Sequence, residues 1–540
     1  DIINDAQLYD WLGTGLNEYG TPRLQPDEKA RICAWLQDRP ERYKAILQRS
    51  VESCAGQENI SSRLFLSADR LFEATPPAVL QAQLDTLARD MPPLVIKTGL
   101  LGSADNVRVL ARFVDLWRAK HPLALVVDPV LRASTGAALA NEELRLAYRD
   151  LLLPRATVIT PNQAEAVALL GDSFNGDIPA QAQALRALGC EAVVITGGDA
   201  GALGRHASLS LDWLDTPQTQ GWLSLPRENT PHNHGTGCTF ASALAAALAL
   251  GWVLADAAVL AKMAATHALR HARAVGRGVG PVIAREGFGI DPTLLPRLSL
   301  TAEAPATWTT RARAPSPGAY AIVGSAERVR QCVAAGARTV QLRIKRPAVT
   351  PTDDPTWREH LATEIRTAQA AADTAGATLY INDHWQQALA LGARAVHLGQ
   401  EDLLALSQAE HAQLAAARDQ GLALGLSSHS LWELCRAHAL LPDYIACGPV
   451  WPTTTKDMPW LPQGLDNLAW WAHMAPAPVV AIGGILAPEQ LTLAASCGAE
   501  GGCVVRGLGD DPSHTWPLWQ QAWAQGTQMG RQHPPALPHP

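Results

Sequence analysis

The chain has 540 residues, 47% hydrophobic and 18% charged, with a formal net charge of −7. That length exceeds what one hydrophobic core organises, so two or three domains are expected. The acidic balance and the lack of a long basic run argue against nucleic acid as a partner.

Nine cysteines are scattered without a CxxC pair. This pattern fits reduced thiols in a cytoplasmic protein and not a disulfide framework or a zinc site. The N-terminus is acidic and polar and carries no signal-peptide pattern. Residues 1–65 read as an atypical helical segment. One amphipathic run starts at Pro26-Asp27 and carries Ile32, Trp35 and Leu36 on one face. Another starts at Pro40, with Tyr43, Ile46, Leu47, Val51 and Cys54. The segment shows no chemistry and suits packing or association, including into a homo-oligomer. The most membrane-like run, 241–261, is alanine-rich and contains Gly251 and Asp256. It reads as a buried helix pair, so no membrane partner is expected.

Over 66–297, short β-rich runs alternate with helical ones. The runs are 94–97, 124–128, 157–160 and 192–196. Such alternation implies a parallel, helix-covered sheet of doubly wound α/β type. Ligands sit at the carboxyl ends of strands in such sheets, and Lys97, Asp128, Asn162, Glu165 and Thr196 fall there. The segment His234-Gly235-Thr236-Gly237-Cys238 precedes a long helical stretch. Two glycines and a helix start can form an anion hole for a transferring phosphoryl group. A glycine-rich helix start without a ligand is the plainer alternative. Asp128 and Glu165 add two carboxylates suited to magnesium.

Four stretches here carry a resemblance: IKTGLLGSADNV (96–107), VVDPVLRASTGAAL (126–139), VITPNQAEAVALLG (158–171) and HGTGCTFASALAA (234–246). Together they are similar to hydroxymethylpyrimidine phosphate kinase, a ribokinase-like fold that uses ATP. The resemblance implies an anion hole at Gly235, Thr236 and Gly237, a catalytic thiol at Cys238, and magnesium-ATP at Asp128, Asn162 and Glu165. The sequence departs from the family in three places. The glycine-rich first strand and helix, and the segment that holds the pyrimidine, are not recognisable in 1–63. Thr196 stands where many members have lysine.

Residues 298–317 are rich in Pro, Ala and Thr and read as a linker. Eight apolar runs follow between 318 and 525, separated mostly by alanine-rich helical stretches. That is the arithmetic of a TIM (β/α)8 barrel; residues 526–540 form a tail. Nearly every run ends in polar residues: Arg343 and Lys345, Asn382 and Asp383, Gln400 and Asp402, Ser427 and Ser428, Gly483-Gly484, and Arg506. The sixth run leads into Thr453-Thr454-Thr455-Lys456. On its own this string suits either an exposed polar loop or an anion site. Two aspartates with three cations at one rim point to a magnesium-bound polyphosphate.

The segments VQLRIK, YINDHWQQAL, AVHLGQEDL, GLSSH, GPVWPTTTK and AIGGI resemble thiamine phosphate synthase across almost all of 320–508. The resemblance implies that Gln341, Arg343, Lys345, Asn382, Ser427 and Lys456 bind hydroxymethylpyrimidine pyrophosphate. Asp383 and Asp402 would hold Mg2+. Thr453, Thr454, Thr455, Gly484, Val505 and Arg506 would bind hydroxyethylthiazole phosphate. Ser428 and Arg506 differ from the usual threonine and small residue. The expected protein is bifunctional, kinase then synthase, acting on small molecules. The alternative is a synthase whose first half binds nucleotide or pyrimidine without turnover.

Overall fold

The structure is a computed structural model that describes residues 74–131, 140–171, 174–197, 208–275, 278–347, 349–351, 353–453 and 461–540. The helical segment expected at 1–65 lies outside the described residues. Two compact units are present. One comprises Asp1–Val193, Glu228–Ala249 and Ala265–Ala284; the other comprises Val194–Arg227, Leu250–Ala264 and Arg285–Pro540.

The four runs expected as strands are β1 (Val95–Thr98), β2 (Ala124–Val127), β3 (Val158–Ile159) and β4 (Ala192–Ile195). The first three pair in parallel with β2 between β1 and β3, and β4 pairs parallel to β3. Leu125, Val126 and Val127 are fully buried, as expected of strands covered on both faces. The helix Ala104–Arg118 is started by Ser103, whose side chain accepts from the Asn106 N–H. It buries Val107, Leu110 and Val114 on one face.

The expected parallel sheet carries an antiparallel extension that the sequence reading did not include. Three further strands, β5 (Leu209–Asp215), β6 (Gln220–Pro226) and β7 (Arg297–Leu298), extend the sheet order to β1-β2-β3-β4-β5-β6-β7. The pairs β5–β6 and β6–β7 are antiparallel. LSLDW alternates apolar and polar residues, a strand pattern the run-by-run reading passed over. The polar Asp212 is nonetheless buried, with Oδ2 2.8 Å from Lys262 Nζ. The chain reverses at 216–219, where the Thr216 N–H donates to the Thr219 carbonyl. The alanine-rich run 241–261 falls in the helices Thr236–Ala249 and Leu254–Arg270. No described helix is long and apolar enough to cross a membrane.

Residues 299–317 hold no helix before β8. They are nonetheless tied down within their unit. The Trp222 indole N–H donates to the Ala302 carbonyl, and the Arg297 guanidinium lies 3.8 Å from the Trp308 ring centroid.

The eight apolar runs form a closed parallel barrel: β8 (Gly318–Val323), β9 (Thr339–Leu342), β10 (Thr378–Asn382), β11 (Ala395–Leu398), β12 (Ala423–Ser428), β13 (Tyr444–Cys447), β14 (Val479–Ala481) and β15 (Gly501–Val504). Each strand is short and mostly buried, because barrel strands face side-chain layers inside and helices outside. Ser325, Asp354, Ser407 and Ser430 cap helices that follow. The interior carries Tyr320, Ile322, Tyr380, Ala395, Tyr444, Ala446, Val480 and Cys503. The last helix, Pro512–Met529, runs past the edge drawn at 525. Gly526 lets it approach its neighbour closely, since a Cβ there would lie 2.3 Å from the Thr492 carbonyl oxygen.

Candidate active sites

The first site is built at the carboxyl ends of β1 and β2. Lys97 Nζ lies 3.1 Å from Asp128 Oδ2, and both side chains are largely buried. Burial pushes the Asp128 carboxyl up, and Lys97 partly offsets that rise. Cys238 hydrogen-bonds to Asp128 from the first turn of the helix Thr236–Ala249. Desolvation, followed by the Asp128 carboxylate, pushes the thiol above its ordinary value. The thiol is therefore protonated at neutral pH and donates to Asp128.

The glycine segment that leads to Cys238 is held open by its backbone. The His234 N–H donates to the Gly280 carbonyl, and the Val282 N–H donates to the His234 carbonyl. Gly235 has φ +87°, a region that disfavours side chains. Thr236 donates its hydroxyl to the Asn233 carbonyl, and the Thr239 N–H donates to the Gly235 carbonyl. The Thr236 N–H also donates to the Asn233 carbonyl. The N–H groups next along the first helical turn have no partner inside the helix, and the helix dipole there favours an anion.

Asn162 and Glu165 do something the sequence reading did not assign to them. They form a capping box on the helix Gln163–Leu170. Asn162 Oδ1 accepts from the Glu165 N–H, and Glu165 Oε2 accepts from the Asn162 N–H. Glu165 Oε1 also accepts from the Leu131 N–H. Both carboxylate oxygens thus hold backbone, and Asp128 is the acid that faces Lys97 and Cys238. The N-x-x-E spacing was a legible capping signal.

The second site lies at the rim of the barrel. Arg343 and Lys345 follow β9, Asn382 ends β10 and Asp383 follows it, Asp402 lies in the first turn of the helix after β11, and Ser427 is the second-last residue of β12. Lys345 Nζ is 3.2 Å from Asp383 Oδ2. Asp383 has φ 64°, an uncommon backbone conformation for a residue with a side chain. Its N–H donates to the His397 carbonyl, which ties the strained residue to β11. Asp402 lies close to Asp383, and its Oδ2 accepts from the Gly399 N–H. Desolvation and then the Asp383 charge push the Asp402 carboxyl up. Two carboxylates this close repel when ionised, and a hard divalent cation between them would relieve the repulsion. The all-oxygen donor set fits magnesium.

The Gly483-Gly484 turn after β14 packs on the backbone after β13. The Val450 and Trp451 N–H groups donate to the Ile482 and Gly483 carbonyls. A Cβ on Gly484, at φ +75°, would lie 2.5 Å from Trp451 Cβ. This turn carries Gly484 beside the loop that reaches Thr453. Val505 and Arg506 follow β15, with Arg506 opening a short 3-10 turn. Thr454, Thr455 and Lys456 lie outside the described residues.

Sequence reasoning missed His397. Its imidazole is buried between Ser427 and Tyr444, with Nε2 3.0 Å from Ser427 Oγ and Nδ1 2.7 Å from the Tyr444 hydroxyl. Burial drives its pKa down to about 4, so it is neutral at working pH. The available signal was a polar residue inside the otherwise apolar strand AVHL.

Two family models match the chain: phosphomethylpyrimidine kinase over residues 68–283 and thiamine monophosphate synthase over residues 319–508. A thiamine-phosphate synthase of Rhizobium etli is 45% identical over 215 residues, covering 39% of this chain and 97% of that protein. A hydroxymethylpyrimidine/phosphomethylpyrimidine kinase of Synechococcus elongatus is 40% identical over 212 residues, covering 39% of this chain and 78% of that protein. A probable thiamine biosynthetic bifunctional enzyme of Oryza sativa subsp. japonica is 31% identical over 435 residues. That alignment covers 76% of this chain and 72% of the rice protein, so both halves match in one relative. The chain belongs to the bifunctional thiamine biosynthetic enzymes.

In this bifunctional enzyme the ribokinase-like half carries Asp128 paired with Lys97, with Cys238 beside it. The synthase half carries the two aspartates, Lys345 and Ser427 on a TIM barrel.

Proposed function

We propose that the barrel condenses hydroxymethylpyrimidine pyrophosphate with hydroxyethylthiazole phosphate, releasing thiamine phosphate and pyrophosphate. The N-terminal half supplies the first substrate by ATP-dependent phosphorylation of hydroxymethylpyrimidine and its phosphate. The kinase domain spans 66–297, the linker 298–317, and the barrel begins at 318 and includes the last helix to Met529. The observation that carries the reading is the contact between Asp383 and Asp402 at a rim that also bears Lys345.

In the synthase, Asp383 and Asp402 would hold magnesium, which when bound neutralises charge on the departing pyrophosphate. Arg343, Lys345 and Lys456 hold the remaining negative charge. Gln341, Asn382 and Ser427 orient the pyrimidine end. Thr453–Thr455, Gly484, Val505 and Arg506 hold the thiazole phosphate. With the leaving group stabilised, the carbon–oxygen bond at the pyrimidine methylene breaks early and the thiazole nitrogen bonds to that carbon. No protein nucleophile is required.

In the kinase, Gly235–Gly237 cradles the transferring phosphoryl group and Lys97 offsets the charge on Asp128. Asn162 and Glu165 shape the magnesium-ATP side through their capping box. Cys238, in its thiolate form, accepts the proton of the acceptor hydroxyl, with Asp128 beside it. The free thiols among the described cysteines fit a reducing compartment such as the cytoplasm.

Thiamine phosphate formation from the two synthase substrates, with and without magnesium, tests the reading. Lys456→Ala should raise the KM for the pyrimidine pyrophosphate, and Lys456→Arg should restore it only in part, because a planar fork does not replace a point charge. Unchanged affinity in the alanine variant would make Lys456 a solvated surface residue.

A further inference from the structure

A continuous hydrogen-bond chain crosses the barrel interior from Gln341 to Ser427. Gln341 Nε2 is 3.3 Å from the Tyr320 hydroxyl, and the Tyr320 and Tyr444 hydroxyls are 2.9 Å apart. Tyr444 then meets His397 Nδ1 at 2.7 Å, and His397 Nε2 meets Ser427 Oγ at 3.0 Å. Tyr320, Tyr444, His397 and Gln341 are all buried, whereas Ser427 is partly exposed at the end of β12.

The fold makes room for this chain at one residue. His397 of β11 pairs with Gly425 of β12, and Gly425 pairs with Tyr444 of β13. A Cβ on Gly425 would lie 2.3 Å from the Tyr444 ring. Its absence lets the imidazole and the phenol meet across the intervening strand, stacked at 5.5 Å between centroids and 14° between planes.

Each hydroxyl carries one proton, so the direction of the chain follows from its first link. Gln341 Nε2 can only donate, so Tyr320 accepts there. In the arrangement that uses every proton along the line, Tyr320 donates to Tyr444. Tyr444 must then donate to His397 Nδ1. The imidazole is fixed as the Nε2–H tautomer and donates to Ser427 Oγ. Ser427 is left with its own proton, and Gln341 with a carbonyl oxygen that the chain does not use.

We propose that Tyr320, Tyr444 and His397 are positioning residues that fix Ser427 as a hydrogen-bond donor, and Gln341 as an acceptor, toward the pyrimidine pyrophosphate. This rests on the synthase reading above. Ring nitrogens and phosphate oxygens of that substrate are acceptors, so a hydroxyl held as a donor matches them. A ligand that offers a proton at the same place meets a proton and is rejected. The chain acts through Ser427 and touches no reacting atom itself.

The test has two arms. In the first, the full chain carrying 15N-labelled histidine is examined by NMR, with His397→Gln used for assignment. The chain requires His397 to be a neutral Nε2–H tautomer in the unmodified protein, and Tyr444→Phe to change its nitrogen shifts. A dominant Nδ1–H tautomer would overturn the proposal. In the second arm, Tyr444→Phe should raise the KM for the pyrimidine pyrophosphate about tenfold, as expected for one lost hydrogen bond, with a smaller change in kcat. In a Ser427→Ala background the same substitution should cost less than about twofold, because coupled residues are not additive. Equal costs in both backgrounds would overturn a role through Ser427. Failure of the unmodified protein to make thiamine phosphate would remove the synthase reading, and the tautomer would still decide the direction of the chain.

Discussion

Asp383→Ala and Asp402→Ala are each expected to lower synthase turnover by roughly a hundredfold or more, because each removes a ligand of the metal that neutralises the leaving pyrophosphate. The two carboxylates are close neighbours, and Asp402 is pushed up by desolvation and by Asp383. Such a pair is costly to keep without a cation, so its presence is itself an argument for one. Asp383 also sits at φ 64°. Asparagine tolerates that conformation, so Asp383→Asn keeps the backbone and removes only the charge. It should lose turnover as Asp383→Ala does, while thermal unfolding stays close to the unmodified protein. Turnover near the original value at low magnesium in either alanine variant would remove the metal assignment.

The second large effect is expected at Cys238. Cys238→Ala should lower phosphorylation of the hydroxymethyl acceptor by about 10²–10⁴-fold, the usual worth of a general base. Phosphorylation of the phosphate acceptor should fall much less, because that acceptor is already ionised. The thiol is raised by desolvation and by Asp128, so the thiolate is scarce at pH 7 and grows as pH rises. The rate with the alcohol acceptor should therefore climb between pH 7 and pH 9, and the climb should vanish in Cys238→Ala. Steady-state rates with each acceptor across that range check this, and equal losses for both acceptors would count against it.

The barrel was legible because eight short apolar runs each ended in polar chemistry, and the runs and their strands agree closely: 444–447, for instance, became β13. The parallel half of the N-terminal sheet was legible for the same reason. β5 was passed over although LSLDW alternates; its Ser and Asp suggest a solvent-facing side, yet Asp212 is buried in an ion pair with Lys262 that no local pattern shows. Glu165 was read as serving magnesium-ATP; its capping role, in which both oxygens accept from backbone N–H groups, was not read, although the N-x-x-E spacing carried it. The chain through Tyr320 and Tyr444 joins residues 124 positions apart, and no motif spans that distance. Gly425 looked like any strand glycine until its two neighbours across the sheet were known.

The central claim is that one chain carries both steps. The most direct measurement supplies the purified protein with hydroxymethylpyrimidine phosphate, hydroxyethylthiazole phosphate, magnesium and ATP, and follows thiamine phosphate. The account predicts product that depends on ATP, and product without ATP when hydroxymethylpyrimidine pyrophosphate replaces the monophosphate. Product from the pyrophosphate but none from the monophosphate with ATP would contradict the two-step claim.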